Sequence, residues 1–241
     1  MRFIAIHRSK TSLLRTLQLS AVCTTLLAGT DAEAGGLVLQ TIDTGYYTDD
    51  GFHDADEVNY IVGQSGSEYR NFSVFDLSNV NRHIWHATLR LFNGSTPPNS
   101  GSGYSSVDPF ETYEVFDVIT DVQILRAGNG GVAAFEDLGG GIFFGSENVT
   151  AADNGRFVEI VLNEDCITDL NATTGLVAFG GAITTISPVF QDNEFLFAFS
   201  HESPQVQLVI SFVPESAGIS SAFISLCALV VATARVYRFC S

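Results

Sequence analysis

Two runs decide the fold: Y-R-N-F-S-V-F-D-L at residues 69–77 and H-A-T-L-R-L-F-N at residues 86–93. In the second, Ala87, Leu89 and Leu91 fall on one face while Thr88 and Arg90 fall on the other, the period of a half-buried strand. Five more runs of six to nine residues read the same way: T-Y-E-V-F-D-V, R-F-V-E-I-V-L-N, L-V-A-F-G-G-A-I-T, E-F-L-F-A-F-S and Q-V-Q-L-V-I-S-F. Turn chemistry fills the gaps, with N-G-S-T-P-P-N-S-G-S-G at 93–103, G-N-G-G at 128–131, L-G-G-G at 138–141 and A-D-N-G at 152–155. Helical period is confined to D-V-Q-I-L-R at 121–126 and N-E-D-C-I-T-D-L-N at 163–171. Many strands, polar turns and one or two short helices predict an all-β, antiparallel β-sandwich in a single domain, residues 35–213.

Both ends read as targeting segments and stand apart from that domain. Residues 1–34 carry Arg2, Arg8, Lys10 and Arg15, then L-S-A-V-C-T-T-L-L-A-G, then A-E-A before Gly35: the three parts of a secretory signal peptide. At the other end, residues 217–234 contain no charge and are apolar on all faces. Eighteen helical residues span about 27 Å, close to the hydrocarbon thickness of a bilayer, which predicts a transmembrane helix. Arg235 and Arg238 follow at once and favour a cytoplasmic C-terminus. Pro214 cannot continue a ladder, so it separates the last strand from that helix.

The chain carries a formal net charge of −16. Between residues 35 and 213 the basic residues are Arg70, Arg82, Arg90, Arg126 and Arg156, with no lysine. Such a surface repels polyanions, which excludes nucleic acid as a partner and suits a secreted life that attracts cations. Cys166 is the domain's one cysteine, so no internal disulfide forms and core packing alone holds the domain together.

Two resemblances follow from these segments. Y-R-N-F-S-V-F-D-L-S followed by H-A-T-L-R-L-F-N resembles the front half of the DNRLRE-type domains, which are similar to carbohydrate-binding jelly rolls. The resemblance covers residues 69–93 and implies a jelly-roll-like sandwich with a glycan-binding role. The tail, Val213-Pro214-Glu215, then the apolar span, then Arg235 and Arg238, resembles the PEP-CTERM sorting signal, with Ser216 standing where the family pattern has proline. That resemblance implies a sorting tail at 214–241, processing by an exosortase-type enzyme at the bacterial inner membrane, and a destination at the cell surface or in the exopolysaccharide matrix.

The densest polar stretch is Y-Y-T-D-D-G-F-H-D-A-D-E-V-N-Y at 46–60. Asp49, Asp50, Asp54, Asp56 and Glu57 supply the oxygens that Ca²⁺ prefers, around a hinge at Gly51, and are the expected metal ligands; a solvated acidic loop is the alternative. Tyr46, Tyr47, His53 and Tyr60 are the expected ligand-binding residues, because aromatic faces stack on the C–H face of a sugar. Tyr46 and Tyr47 are adjacent, so an extended chain sends them to opposite faces. Arg70 on a mainly apolar strand face is expected to pair with Asp76 or an acid of the 43–57 loop in a structural role. His83 and His86 flank Trp85 with no carboxylate or cysteine partner nearby in sequence.

No G-x-S-x-G, H-E-x-x-H, P-loop or dinucleotide fingerprint occurs, and no catalytic residue is assigned. The leading expectation is a non-enzymatic, secreted or surface-anchored protein of the bacterial envelope or matrix, binding glycan or Ca²⁺ and touching the membrane through its C-terminal helix. A glycan-active hydrolase using paired carboxylates and a purely structural surface protein are the alternatives.

Overall fold

The structure is a computed structural model that describes residues 35–95, 103–187, 193–197 and 206–213. The expected signal peptide, sorting tail and transmembrane helix lie outside the described residues, apart from Val213. Among the described residues no helix is long and apolar enough to cross a membrane.

Residues 35–213 form one compact unit. Its strands are β1 (Gly36–Gln40), β2 (Asp43–Thr48), β3 (Val62–Ser65), β4 (Ser67–Asp76), β5 (Ile84–Asn93), β6 (Glu111–Asp117), β7 (Phe143–Val149), β8 (Arg156–Val161), β9 (Leu176–Ile183), β10 (Glu194–Leu196) and β11 (Val206–Phe212). Its helices are α1 (Val122–Arg126), α2 (Gly131–Asp137) and α3 (Glu164–Ala172). The strands build a four-stranded sheet, β1-β11-β5-β8, and a seven-stranded sheet, β10-β3-β4-β9-β6-β7 with β2 also on β4. All pairings are antiparallel. The fold is therefore the all-β sandwich that the period-two runs predict.

The two sheets share one core. Ala87, Leu89, Leu91, Ile160, Leu208 and Ile210 of the smaller sheet pack with Phe75, Val115, Phe144, Phe179 and Ile183 of the larger. The outer face of the larger sheet is also covered. Tyr47, Phe72, Val74 and Ala178 form a second core with Leu125, Ala134, Phe135 and Leu138 of the α1–α2 layer. That cover explains why five consecutive residues of β4, Asn71 to Phe75, are buried without alternation. The uncovered smaller sheet alternates cleanly, as in β11. Capping fixes the helices: Asp121 accepts from the backbone N–H of Gln123 and Ile124, and Asn163 from that of Cys166. Cys166 and Leu170 then fasten α3 to the main core.

Two glycines in β9 serve opposite faces. A methyl at Gly180 would lie 2.6 Å from the Leu138 carbonyl at the end of α2, so the missing side chain lets that helix rest on the sheet. On the inner face, a methyl at Gly181 would lie 2.0 Å from the Tyr113 hydroxyl and 2.4 Å from Asn71 Oδ1. There Tyr113 donates to Asn71 Oδ1 at 2.9 Å and the Asn71 amide donates to the Tyr60 carbonyl at 2.8 Å, a buried polar chain between the sheets.

The arginine expected to be structural is so, with a different partner. Arg70 stacks on Phe135 at 4.2 Å, pairs with Glu68 at 3.1 Å and donates to the Phe135 and Glu136 carbonyls at the end of α2. Asp76 instead accepts from the Ser78 backbone N–H. Arg126 takes up the acid at the start of β2, Asp43. Strand alternation places Glu68 on the same face as Arg70, but the run read from sequence begins at Tyr69 while β4 begins at Ser67, which leaves Glu68 outside it.

Candidate functional site

The 46–60 stretch splits into a strand and a turn-rich loop, and neither gathers its acids. Asp49, Asp50, Asp54 and Asp56 are exposed and Glu57 is half-buried. Asp50 accepts from the Thr48 hydroxyl and the Phe52 N–H, which together hold its carboxyl below the usual carboxylate range. Asp54 accepts from the Asp56 N–H at 3.1 Å and Glu57 from the Asn59 N–H at 2.9 Å. These are local turn bonds to side chains two residues away. No three of the five converge on a common point among the described residues.

The aromatic residues of this stretch are mostly interior. Tyr47 is fully buried, stacks on His53 at 4.9 Å and donates to the Leu125 carbonyl at 2.7 Å. His53 sits over Gly45, where a methyl would approach its Cε1 to 2.6 Å, and its Nδ1 lies 2.9 Å from the Tyr46 carbonyl. Tyr60 is buried and donates to the Phe92 carbonyl at 2.9 Å. Tyr47, His53 and Tyr60 are thus packing residues under and between the sheets, which corrects their expected role as a sugar platform. Tyr46 does face away from Tyr47, half-buried and edge-on to Tyr69 at 5.1 Å. Phe52 in the loop and Trp85 in β5 are the most exposed large rings among the described residues, 57% and 54% accessible, ahead of Phe110 and Phe143.

The carboxylates that do converge are Asp108, Glu111 and Glu194, with one oxygen of each within 4.8 Å of the others. Glu111 opens β6 in phase with Tyr113 and Val115, so the strand's own alternation turns it inward. Glu194 opens β10 in phase with buried Leu196. The pair is brought together because β10 runs along β3 while Ser105, just before Asp108, exchanges backbone hydrogen bonds with Phe195 at 2.9 and 2.8 Å. Gly63 in β3 allows the close approach: a methyl there would lie 2.2 Å from the Glu194 carbonyl. Phe197, three residues on, is buried at φ 57°, a left-handed conformation that costs a bulky residue on the order of 1–3 kcal/mol.

Burial makes the cluster unusual. Glu111 is 0% and Glu194 1% accessible, while Asp108 is exposed. Two carboxylates about 5 Å apart repel by on the order of 3 kcal/mol at an effective dielectric of 20, before either is desolvated. The ion pairs of Arg70, Arg90 and Arg126 go to Glu68, Glu159 and Asp43. Ser106 donates to Glu111 Oε1 at 2.6 Å, Thr185 to its Oε2, and the Ser187 N–H to Glu194 Oε2 at 2.6 Å. Glu194 Oε1 is buried with no hydrogen-bond donor among the described residues. The field of the cluster reaches Tyr104, whose hydroxyl bonds the Asp108 carbonyl: burial, then Glu111, Asp108 and Glu194, push its phenol up.

This cluster is absent from the sequence expectations because Glu194 lies 83 residues beyond Glu111. The available signal is an acid in the inward phase of a strand, which E-T-Y-E-V and E-F-L both carry. At the opposite end of the domain, a cleft of about 290 Å³ lies between residues 80–84 and 170–174. Compared with models of known protein families and with curated proteins, the chain gives no match.

Proposed function

We propose that the protein is a non-enzymatic β-sandwich, jelly-roll-like and of the DNRLRE type, that works in the bacterial envelope or exopolysaccharide matrix. On this reading residues 1–34 export it, and residues 214–241 hold it in the membrane until an exosortase-type enzyme processes the Val213-Pro214-Glu215 junction. The observation that carries the reading is where the domain begins and stops. β1 and β11 are neighbours, and the Phe212 N–H donates to the Gly35 carbonyl at 3.0 Å. Both expected processing points therefore flank one end of one sheet, and cutting at either removes no strand. Val213 is 43% accessible directly after β11, within reach of a protease.

The ligands on this reading are extracellular polysaccharide and Ca²⁺. With Tyr47, His53 and Tyr60 interior, the glycan contact falls to Phe52 and half-buried Tyr46 beside the acids of the loop. The rival, a glycan-active hydrolase, needs its two carboxylates at a sugar ring, and Glu111 and Glu194 are sealed from one. Mass spectrometry of the protein recovered from its host tests the sorting. Termini at Gly35 and within residues 213–216 are expected, and an intact Ser241 in the mature protein would sink it. Glycan-array binding with and without EDTA tests the ligand, and no binding in either condition removes it.

A further inference from the structure

We infer that Asp108, Glu111 and Glu194 form a Ca²⁺ site that fastens β10 and the 104–110 loop to the start of β6. The inference deepens the Ca²⁺ part of the function proposed above and does not depend on where the protein is sorted. Three observations converge on it. The first is geometric: three carboxylates from two distant stretches of chain, residues 108–111 and Glu194, face one point, with ligand oxygens within 4.8 Å of one another. The second is Oε1 of Glu194, buried in a residue 1% accessible and given no donor among the described residues. A buried carboxylate oxygen without a hydrogen bond is costly, and a cation is the partner that satisfies it together with the facing acids. The third is orientation. Ser106 and Thr185 each donate to a different oxygen of Glu111, and the Ser187 N–H fixes the other oxygen of Glu194. Such outer bonds hold ligating carboxylates in place while leaving lone pairs for a metal.

The donor set selects the ion. Three carboxylates with no histidine or cysteine suit a hard cation and disfavour zinc or copper. Asp108 is exposed, so water completes the shell on that side. The ligands come from a loop and a three-residue edge strand, an irregular frame that fits the adaptable coordination of Ca²⁺ better than the strict octahedron of Mg²⁺. β10 is held by only three register pairs on β3 and ends at the left-handed Phe197. The ion thus supplies at this corner the hold that a longer ladder supplies elsewhere.

The test uses the full chain in detergent, stripped with EDTA. Tyr104 lies beside the site and serves as antenna for Tb³⁺ emission, which Ca²⁺ should displace. Ca²⁺ at a hundredfold excess over its Kd should raise the Tm by about 5–10 °C. Glu194→Gln should abolish both responses. Asp108→Asn, at an exposed position that folding tolerates, should weaken Ca²⁺ by about tenfold or more while leaving the Ca²⁺-free Tm unchanged. Asp54→Asn with Asp56→Asn, in the 46–60 stretch, should leave both responses intact. Absence of any Ca²⁺ or Tb³⁺ response in the wild type overturns the inference. So does a response that survives both Glu194→Gln and Asp108→Asn, or one lost in the Asp54/Asp56 variant.

Discussion

Replacing Gly181 by alanine sets a single methyl against the polar chain between the two sheets. Gly181 has no positive φ, so alanine fits its backbone and by entropy alone would stabilise by about 0.4–1 kcal/mol. Space decides otherwise. The new carbon would lie 2.0 Å from the Tyr113 hydroxyl and 2.4 Å from Asn71 Oδ1, more than 1 Å inside normal contact. Tyr113 cannot yield freely, because it is buried with its ring edge-on to Phe197 at 5.1 Å. Overpacking of this kind costs about 1–3 kcal/mol. Breaking the 2.9 Å Tyr113–Asn71 bond while leaving its acceptor buried adds about 1–3 kcal/mol. The expected total is about 2–6 kcal/mol, a large part of a domain's stability and a Tm lower by roughly 5–20 °C. Urea titration at unchanged m-value reads it directly. Tyr113→Phe removes the oxygen in the way, so the double variant should be at least about 1 kcal/mol more stable than the two single losses added. The relief stays partial because Tyr113 Cζ lies 2.5 Å from the same methyl. A Gly181→Ala cost below about 1 kcal/mol, or strict additivity in the cycle, would refute the reasoning.

Other expectations follow from the second core and from the titrating groups. Tyr47→Phe should cost about 0.5–1.5 kcal/mol, with little change in circular dichroism, because the Leu125 carbonyl loses the hydroxyl but keeps the Gly128 N–H at 3.3 Å. Gly45→Ala should cost about 1–3 kcal/mol because the methyl meets His53 Cε1 at 2.6 Å and the Phe72 ring at 2.8 Å; unchanged stability would show that the imidazole moves aside. Cys166 is buried and desolvation pushes its thiol well up, so a thiol reagent should label it only at the rate of unfolding. Hydrogen bonds hold the Asp50 and Asp76 carboxyls below their ordinary values, so their contribution is present above pH 4 and fades as pH falls further. Burial raises Tyr47 and Tyr113, so the unfolded chain loses those protons first and stability should fall as pH climbs past 10; urea midpoints across both limbs check each sign.

Much of the sandwich was legible because its strands carry their burial as a period. β5, β8 and β11 fall where alternation puts them, β9 falls on the expected apolar run although it is buried on both faces, and the helices at 121–126 and 163–171 sit within a residue of the expected spans. What escaped had weaker local signals. G-V-A-A-F-E-D, α2, opens on glycines that read as turn and becomes a helix only by resting on Gly180 of a distant strand. D-T-G-Y-Y-T, β2, runs in sequence straight into the acidic loop, although its Tyr47 belongs to the second core. The site was harder still. Acid density is high at residues 49–57, where each carboxylate is exposed or bonded to its own turn. The acids that meet are sparse in sequence and visible only as phase errors, Glu111 ahead of Tyr113 and Glu194 ahead of Leu196. Density reports solvation, whereas an acid out of pattern reports a demand made by the fold.

The order β1-β11-β5-β8 also has a mechanical side. Val213 leaves one end of β11, while the buried acids lie beyond the other end of its neighbour β5, near Asn93, which bonds the Phe197 N–H. A load applied at the tail and resisted by a ligand at the far end therefore runs along β11 rather than across it. The rungs that join β11 to β1 and β5 then bear the load together, in shear, instead of opening one after another like a zip. Turned the other way, with tension across the sheet at β8, the same hydrogen bonds would part singly. The strand next to the tail is thus the one best placed to transmit tension without unfolding, a property set by topology and independent of what is bound.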